Sequence, residues 1–379
     1  DLHKEYRRQR QMCIRDSMRT FILLLLMQLV SLPFSYARQP EHSTYLVAHD
    51  LKSLDYVRQI DYAQFDYIYL MAAPNWKEYD FSKSGEEIIR DLVTNHAFRK
   101  DQGVDVIREL IAQARACQTK VLLSFAGEGF RERVEDPALR AKFVDFMVAF
   151  IDKYDFDGIE VDWETAVTLP LHEVFVKDIR EKLNVLESRK NRKMYLTTAL
   201  HSWQRYSKEL AEKVSRSLDW INIMTYDMGG GIWGNVPTHN TPLDRIITDL
   251  KAWEMFDKSK LCIGLANYGF FYKGIKPGQK IEGKLDKYGR YIGYNEAMAV
   301  FSSDWKEVKD PQAKVSYFIN EKQQEFITLE TKETIRTKAE WVKENGFRGA
   351  FWWEFSYDEI LPDSKDGKIR HHLIDEIKW

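Results

Sequence analysis

Eight short runs of aliphatic, aromatic and β-branched residues recur along the chain: Tyr45–Ala48, Tyr67–Ala72, Lys120–Phe125, Gly158–Trp163, Met194–Leu200, Trp220–Thr225, Leu261–Ala266 and Gly349–Glu354. Several are almost continuously apolar, such as Val121-Leu122-Leu123 and Ile221-Asn222-Ile223-Met224. Strands buried on both faces read this way, and parallel sheets bury both faces. Helical periodicity fills the gaps. Val104, Ile107, Ile111 and Ala114 share one stripe, as do Phe143, Phe146, Phe150 and Ile151. Asp136-Pro137 is a helix start, and Gly346 is a stop for a helix over Thr331–Glu344. Strands and helices alternating in this number predict an α/β chain folded as a (β/α)8 TIM barrel. A doubly wound open sheet is the alternative, but it wants a glycine-rich turn after the first strand, where this chain has His49-Asp50-Leu51. The gap before the eighth run is long. It carries Gly274, Pro277-Gly278, Gly283, Gly289 and a strand-like Val315–Ile319, which predicts a small β-rich insertion over 270–325, between strands 7 and 8.

The N-terminal portion follows a different logic. Met18-Arg19-Thr20 precedes the apolar stretch Phe21–Met27, and Ser35-Tyr36-Ala37 supplies small residues at the positions a signal peptidase reads. Residues 18–37 are therefore expected to be a signal peptide, since the apolar run falls short of the roughly 20 residues a membrane span needs. Residues 1–17 precede that Met and are read as translated upstream sequence, leaving 38–379 as the folded part. The expectation is a secreted protein (extracellular or periplasmic), monomeric and free of the membrane after cleavage. Lys and Arg total 56 against 58 Asp and Glu, a net charge of −2, so no basic excess exists to hold a nucleic acid. Three cysteines exclude a disulfide scaffold. Cys117 and Cys262, in or beside apolar runs, read as buried small residues. No C-x-x-C or histidine cluster suggests a structural metal, and neither a metal nor a cofactor is expected.

The most informative segment is Asp157-Gly158-Ile159-Glu160-Val161-Asp162-Trp163-Glu164. Side chains alternate along a strand, so Glu160, Asp162 and Glu164 project to one side, about 6–7 Å apart in succession. Three carboxylates facing a packed interior cannot all stay charged cheaply, and repulsion with desolvation should raise at least one pKa. A carboxylic acid kept protonated near neutrality is what general-acid catalysis uses. Glu164, last in the run, lies nearest the C-terminal mouth where barrel sites are built. Two other readings stay open: a solvated acidic strand, against which the apolar Ile159, Val161 and Trp163 speak, and a Mg²⁺ or Ca²⁺ ligand set, for which no second acidic cluster is evident.

At these residues the chain resembles glycoside hydrolase family 18, the chitinases and their relatives, whose signature is DGxDxDxE. Ser124-Phe125-Ala126-Gly127 is similar to its SxGG strand, and Met224-Thr225-Tyr226-Asp227 to its MTYD strand. Ile263-Gly264-Leu265 with Tyr268-Gly269 and Gly349–Glu354 resemble the seventh and eighth strands. Glu160 stands where the family usually has Asp. The resemblance implies a retaining hydrolase whose nucleophile is the substrate's own N-acetyl group. It makes Glu164 the acid/base and Asp162 the acceptor for the acetamido N–H. Glu160 becomes the partner of Asp162, and Tyr226 the donor to the acetamido oxygen. It also implies substrate binding by Trp353, Asp227, Met224 and Tyr268; Trp233, beyond another strand end, is a further candidate aromatic. The expected substrate is an N-acetylglucosamine-containing oligo- or polysaccharide, chitin or chito-oligosaccharides first. The alternatives are endo-β-N-acetylglucosaminidase action on N-glycan or peptidoglycan fragments, and a non-catalytic lectin on the same scaffold.

Overall fold

A computed structural model describes residues 39–51, 53–95, 103–362 and 367–379. The proposed signal peptide and the residues before it lie outside these. Eight parallel strands close into a barrel: β1 (Glu41–Val47), β2 (Tyr67–Ala72), β3 (Lys120–Phe125), β4 (Gly158–Val161), β5 (Tyr195–His201), β6 (Trp220–Met224), β7 (Leu261–Ala266) and, last in the chain, Gly349–Trp353. Their order around the barrel is the order in the sequence, with the last strand pairing both β7 and β1. The open doubly wound sheet is thereby overturned.

Between β7 and the closing strand the chain builds an antiparallel sheet of five strands: β8 (Tyr268–Lys273), β9 (Gly289–Gly293), β10 (Lys306–Asp310), β11 (Val315–Asn320) and β12 (Glu325–Leu329). The sheet extends beyond 270–325 at both ends. Tyr268-Gly269 belongs to it rather than to the tail of β7, because Tyr268 pairs with Gly293 and Phe270 with Thr328. A Cβ at Gly269 would sit 1.8 Å from the Thr328 carbonyl oxygen, so the close pairing there admits only glycine. The closing barrel strand is accordingly β13 (Gly349–Trp353).

The helices form where their local signals are strongest. In Pro137–Tyr154, Asp136 accepts from the amides of Ala138 and Leu139, proline takes the first turn, and Asp155 in the left-handed region (φ 64°) ends it. Its buried face presents Phe143, Phe146, Phe150 and Ile151 to the outside of the sheet. Burying each such side chain contributes about 1.5–3 kcal/mol. Lys332–Glu344 starts with a reciprocal capping box between Thr331 and Thr334, and Gly346 at φ 71° carries the chain away. Cys262 is buried, but Cys117 is exposed, because it follows the last turn of helix Gly103–Ala116 rather than entering β3. Among the described residues no helix is long and apolar enough to cross a membrane.

Alternation along each strand sorts the barrel into two cores. Ile68, Leu70, Val121, Leu123, Ile159 and Val161 face the helices. Tyr45, Tyr69, Leu122, Ala199, Met224 and Phe351 fill the interior. The interior therefore receives whatever polar residue falls in the same phase.

Candidate active site

In the inward phase β4 contributes Glu160, and just past its last paired position the chain contributes Asp162. The strand stops at Val161, shorter than Gly158–Trp163: the Asp162 amide makes a last bond to the Phe125 carbonyl at 2.9 Å, and Trp163 leaves the sheet. Trp163 turns into the outer core, where it stacks on Phe130 (centroids 5.7 Å apart, planes 14° apart) and donates to the Thr165 carbonyl at 2.7 Å. That anchor bends the chain so that Glu164 emerges at the mouth, its side chain 47% exposed. The ladder thus runs from full burial at Glu160 to half exposure at Glu164.

Glu160 is wholly enclosed and meets three donors. The Tyr45 hydroxyl donates to Oε1 at 2.5 Å, the Asn222 amide to the same oxygen at 3.1 Å, and the Ser124 hydroxyl to Oε2 at 2.5 Å. Behind them Trp220 Nε1 donates to the Tyr69 hydroxyl at 2.9 Å, which lies 3.3 Å from Asn222 Oδ1. Burial nevertheless wins over these bonds and pushes the Glu160 carboxyl up to about 7. Asp162 is also pushed up, by burial first and then by the charges of Glu164 and Glu160. One of its oxygens, Oδ1, is buried with no hydrogen-bond partner. Such an atom is costly unless a ligand supplies the donor.

Asp162, Glu164, Met224, Tyr226, Asp227, Tyr268 and Trp353 line one cavity of about 130 Å³, together with Tyr45, Ala199 and His201. A second cavity of about 420 Å³ shares Asp227, Tyr268 and Trp353 with it and adds Tyr291, Glu296 and Tyr357. The elements explain the convergence. Tyr226 continues the inward phase of β6, and its ring sits over Gly264, where a Cβ would lie 2.8 Å from Cε1. Its hydroxyl is held protonated by burial and by the Asp162 and Glu164 charges, which keeps it a donor. Asp227 adopts φ 52°, its amide donating to Asn240 Oδ1 at 2.7 Å and its Oδ1 accepting from the Tyr268 hydroxyl at 2.9 Å. Burial raises Asp227 to about 6 against that hydrogen bond. Trp353 ends β13 in a cis peptide with Glu354, whose amide donates to Asn267 Oδ1 at 2.9 Å.

The family model for glycosyl hydrolases family 18 matches residues 41–358. The chain belongs to that family. Among curated relatives it is 27% identical over 285 residues to chitinase A1 of Niallia circulans (63% of this chain, 40% of that protein). It is 26% identical over 323 residues to the sporulation-specific chitinase 2 of Saccharomyces cerevisiae (74% and 63%). The chain spans from 40% to 63% of the length of these relatives. Among solved structures it resembles an immunomodulatory active chitinase from Trichuris suis at TM-score 0.69 and 21% identity, covering 89% of this chain and 98% of that one. A family 18 chitinase from Cycas revoluta in complex with (GlcNAc)3 gives 0.68 and 17%, covering 83% and 94%. At these identities the structural likeness establishes the fold.

Trp233, the further candidate aromatic, reaches the cavity wall only through a side-chain hydrogen bond with Tyr291. It is 57% exposed, with Lys284 Nζ 5.1 Å over its ring, and lines neither cavity. Of the other tryptophans near strand ends, Trp76 and Trp352 are fully buried, and Trp352 bonds His42 at 2.8 Å. Three polar members of the site escape motif reading. Tyr45 and Asn222 reach Glu160, and His201 Nε2 lies 3.0 Å from Glu164 Oε2. Their signal is phase: each falls at an inward position of its strand. Among the described residues no group of three His, Cys, Asp or Glu side chains is arranged to hold a metal.

Proposed function

We propose that the chain is a retaining glycosidase that hydrolyses β-1,4 bonds next to N-acetylglucosamine, in chitin or chito-oligosaccharides, with the substrate's acetamido group as nucleophile. The observation that carries this is Asp162 Oδ1, a buried carboxylate oxygen without a donor, in the wall that also holds Glu164 and Tyr226. An acetamido N–H bonded there would have its carbonyl oxygen oriented by the Tyr226 hydroxyl. Support comes from the family, from relatives named chitinases, and from the (GlcNAc)3 complex of the Cycas revoluta protein. An N-terminal leader directing export fits a polymeric substrate outside the cell.

In the first step the acetamido carbonyl oxygen attacks the anomeric carbon as the glycosidic bond breaks, and Glu164 gives its proton to the leaving oxygen. The ring so formed is a cationic oxazolinium. In the second step water attacks the same carbon from the vacated face, and Glu164 takes the water's proton, restoring the acetamide with retained configuration. An attached nucleophile spares the entropy of a second encounter, an advantage equivalent to about 10⁵ M or more. The positive charge develops beside Asp162. Because a charge on Glu160 disfavours one on Asp162, a cation facing Asp162 draws the negative charge toward it. The donors around Glu160 keep that carboxyl fixed beneath. Trp353 supplies an apolar face for the sugar ring, and Asp227, Met224 and Tyr268 shape its surround.

The test is Glu164→Gln assayed on a chromogenic chitobioside. Loss of general acid catalysis should lower kcat by about 10²–10⁴-fold. Full activity in that variant would remove Glu164 as the acid/base, and a wild type that released no chromophore would leave a binding protein.

A further inference from the structure

Glu164 leaves the barrel on a loop and half exposed, and such a side chain needs a partner to hold one rotamer. That partner is His201. Strand register brings them level, since Thr198 pairs with Val161 and each residue lies three positions further on. The imidazole Nε2 is 3.0 Å from Glu164 Oε2, and the imidazole side chain is 26% exposed. Its far side is fixed by Trp203, whose ring stacks on it with centroids 5.1 Å apart and planes 15° apart. Trp203 is itself 57% exposed, so the indole stays at the surface beside the imidazole rather than packing into the core.

We propose that His201 is a positioning residue that holds the Glu164 carboxyl at the mouth and shares a single transferable proton with it. The role of the pair rests on the hydrolase proposed above. Whether the proton sits on the carboxyl or on the imidazole, the bridge between Oε2 and Nε2 keeps it at the rim. Neutral imidazole accepts from the protonated acid, and imidazolium donates to the carboxylate. A lone carboxyl in model compounds loses its proton about two pH units below an imidazole. The bridged imidazole is therefore a second seat for the proton that the carboxyl transfers. In the second step the imidazole stands beside the carboxyl that receives the water's proton. The titratable groups facing the pair include Tyr45, Asp162, Tyr226, Asp227 and Tyr268 in the cavity wall, with Glu160 and Tyr291 also feeling the Glu164 charge. Asp227 feels His201 directly, a protonated imidazole favouring its charged form. The flat face of Trp203 adds an attraction for the protonated ring.

Two arms separate this inference from the hydrolase reading. The first needs no activity: the His201 imidazole is titrated by NMR in the wild type and in Glu164→Gln. A shared proton predicts that the imidazole midpoint falls by about one pH unit when the carboxylate is removed, and superimposed titrations would overturn the pair whatever the protein hydrolyses. The second arm compares pH profiles of kcat/KM on a chitobioside for wild type, His201→Gln and His201→Ala. The basic limb should move toward acid by about one pH unit or more in both variants. Free imidazole should restore part of that limb in His201→Ala. A wild type that hydrolyses while His201→Gln keeps its limb in place would overturn the inference and leave the hydrolase standing.

Discussion

Replacing Glu160 by Gln isolates the buried end of the carboxylate ladder. The site costs the charged form its hydration, and three hydrogen bonds recover only part of that cost, so the carboxyl rises from 4.5 to about 7. The sign follows from linkage. The folded protein holds this proton more tightly than the unfolded chain, so the contribution is complete below pH 4.5 and is lost as pH climbs toward 7. At roughly 1.4 kcal/mol per pH unit the loss amounts to about 3 kcal/mol. The glutamine side chain has nearly the same shape and never ionises. Its oxygen can accept from Tyr45, and its amide can donate to Ser124 with the hydroxyl turned. Urea unfolding of both proteins from pH 4 to 8 should therefore show the variant gaining about 3 kcal/mol relative to wild type across that window. In the variant Asp162 no longer faces the Glu160 charge and is held up by burial and the Glu164 charge alone. A stability difference that stays flat with pH would refute the claim that burial holds the Glu160 proton.

Two further outcomes follow from the same geometry. In Gly264→Ala the new methyl would meet the Tyr226 ring at 2.8 Å and Phe351 at 2.9 Å. Displacing the ring by about an ångström should lower kcat on a chitobioside about 10²-fold with the fold intact by circular dichroism; unchanged kcat would deny Tyr226 its place beside the reacting group. Exhaustive dialysis against EDTA should leave the rate unchanged, because the oxygens of Glu160 are already taken up by Tyr45, Ser124 and Asn222. Activity that returned only with added divalent cation would instead make the ladder a ligand set.

The barrel was legible because burial on both faces leaves a plain signature. β2, β3 and β7 occupy the residues the apolar runs mark, and β6 differs by one residue. The end of β4 was not, since alternation cannot say that the Trp163 indole finds its pocket among Phe130 and Phe175 and pulls the chain out of the ladder. The edges of the inserted sheet were misjudged for a similar reason. Tyr268-Gly269 reads as the tail of β7, and only the pairing with β9 and β12 assigns it elsewhere. At the site, Asp162, Glu164, Met224, Tyr226, Asp227, Tyr268 and Trp353 converge on one cavity, Glu160 lies buried beneath it, and Trp233 is an exposed ring that composition alone cannot distinguish from a lining one. His201 and Asn222 were missed because polarity in a buried strand becomes meaningful once the neighbour across the barrel is known to be acidic. The ladder predicts at least one raised pKa, and the structure places rises at Glu160 and Asp162, the two members that burial reaches fully.

An attached N-acetyl nucleophile sets substrate-assisted cleavage apart from every scheme in which the protein supplies the attacking group. The direct measurement is the rate on two chromogenic disaccharides with one leaving group, a β-chitobioside and the corresponding β-cellobioside that lacks only the acetamido substituents. Cleavage of the chitobioside at least about 10³ times faster is expected, given the effective concentration of a tethered nucleophile. Comparable rates on the two would contradict it.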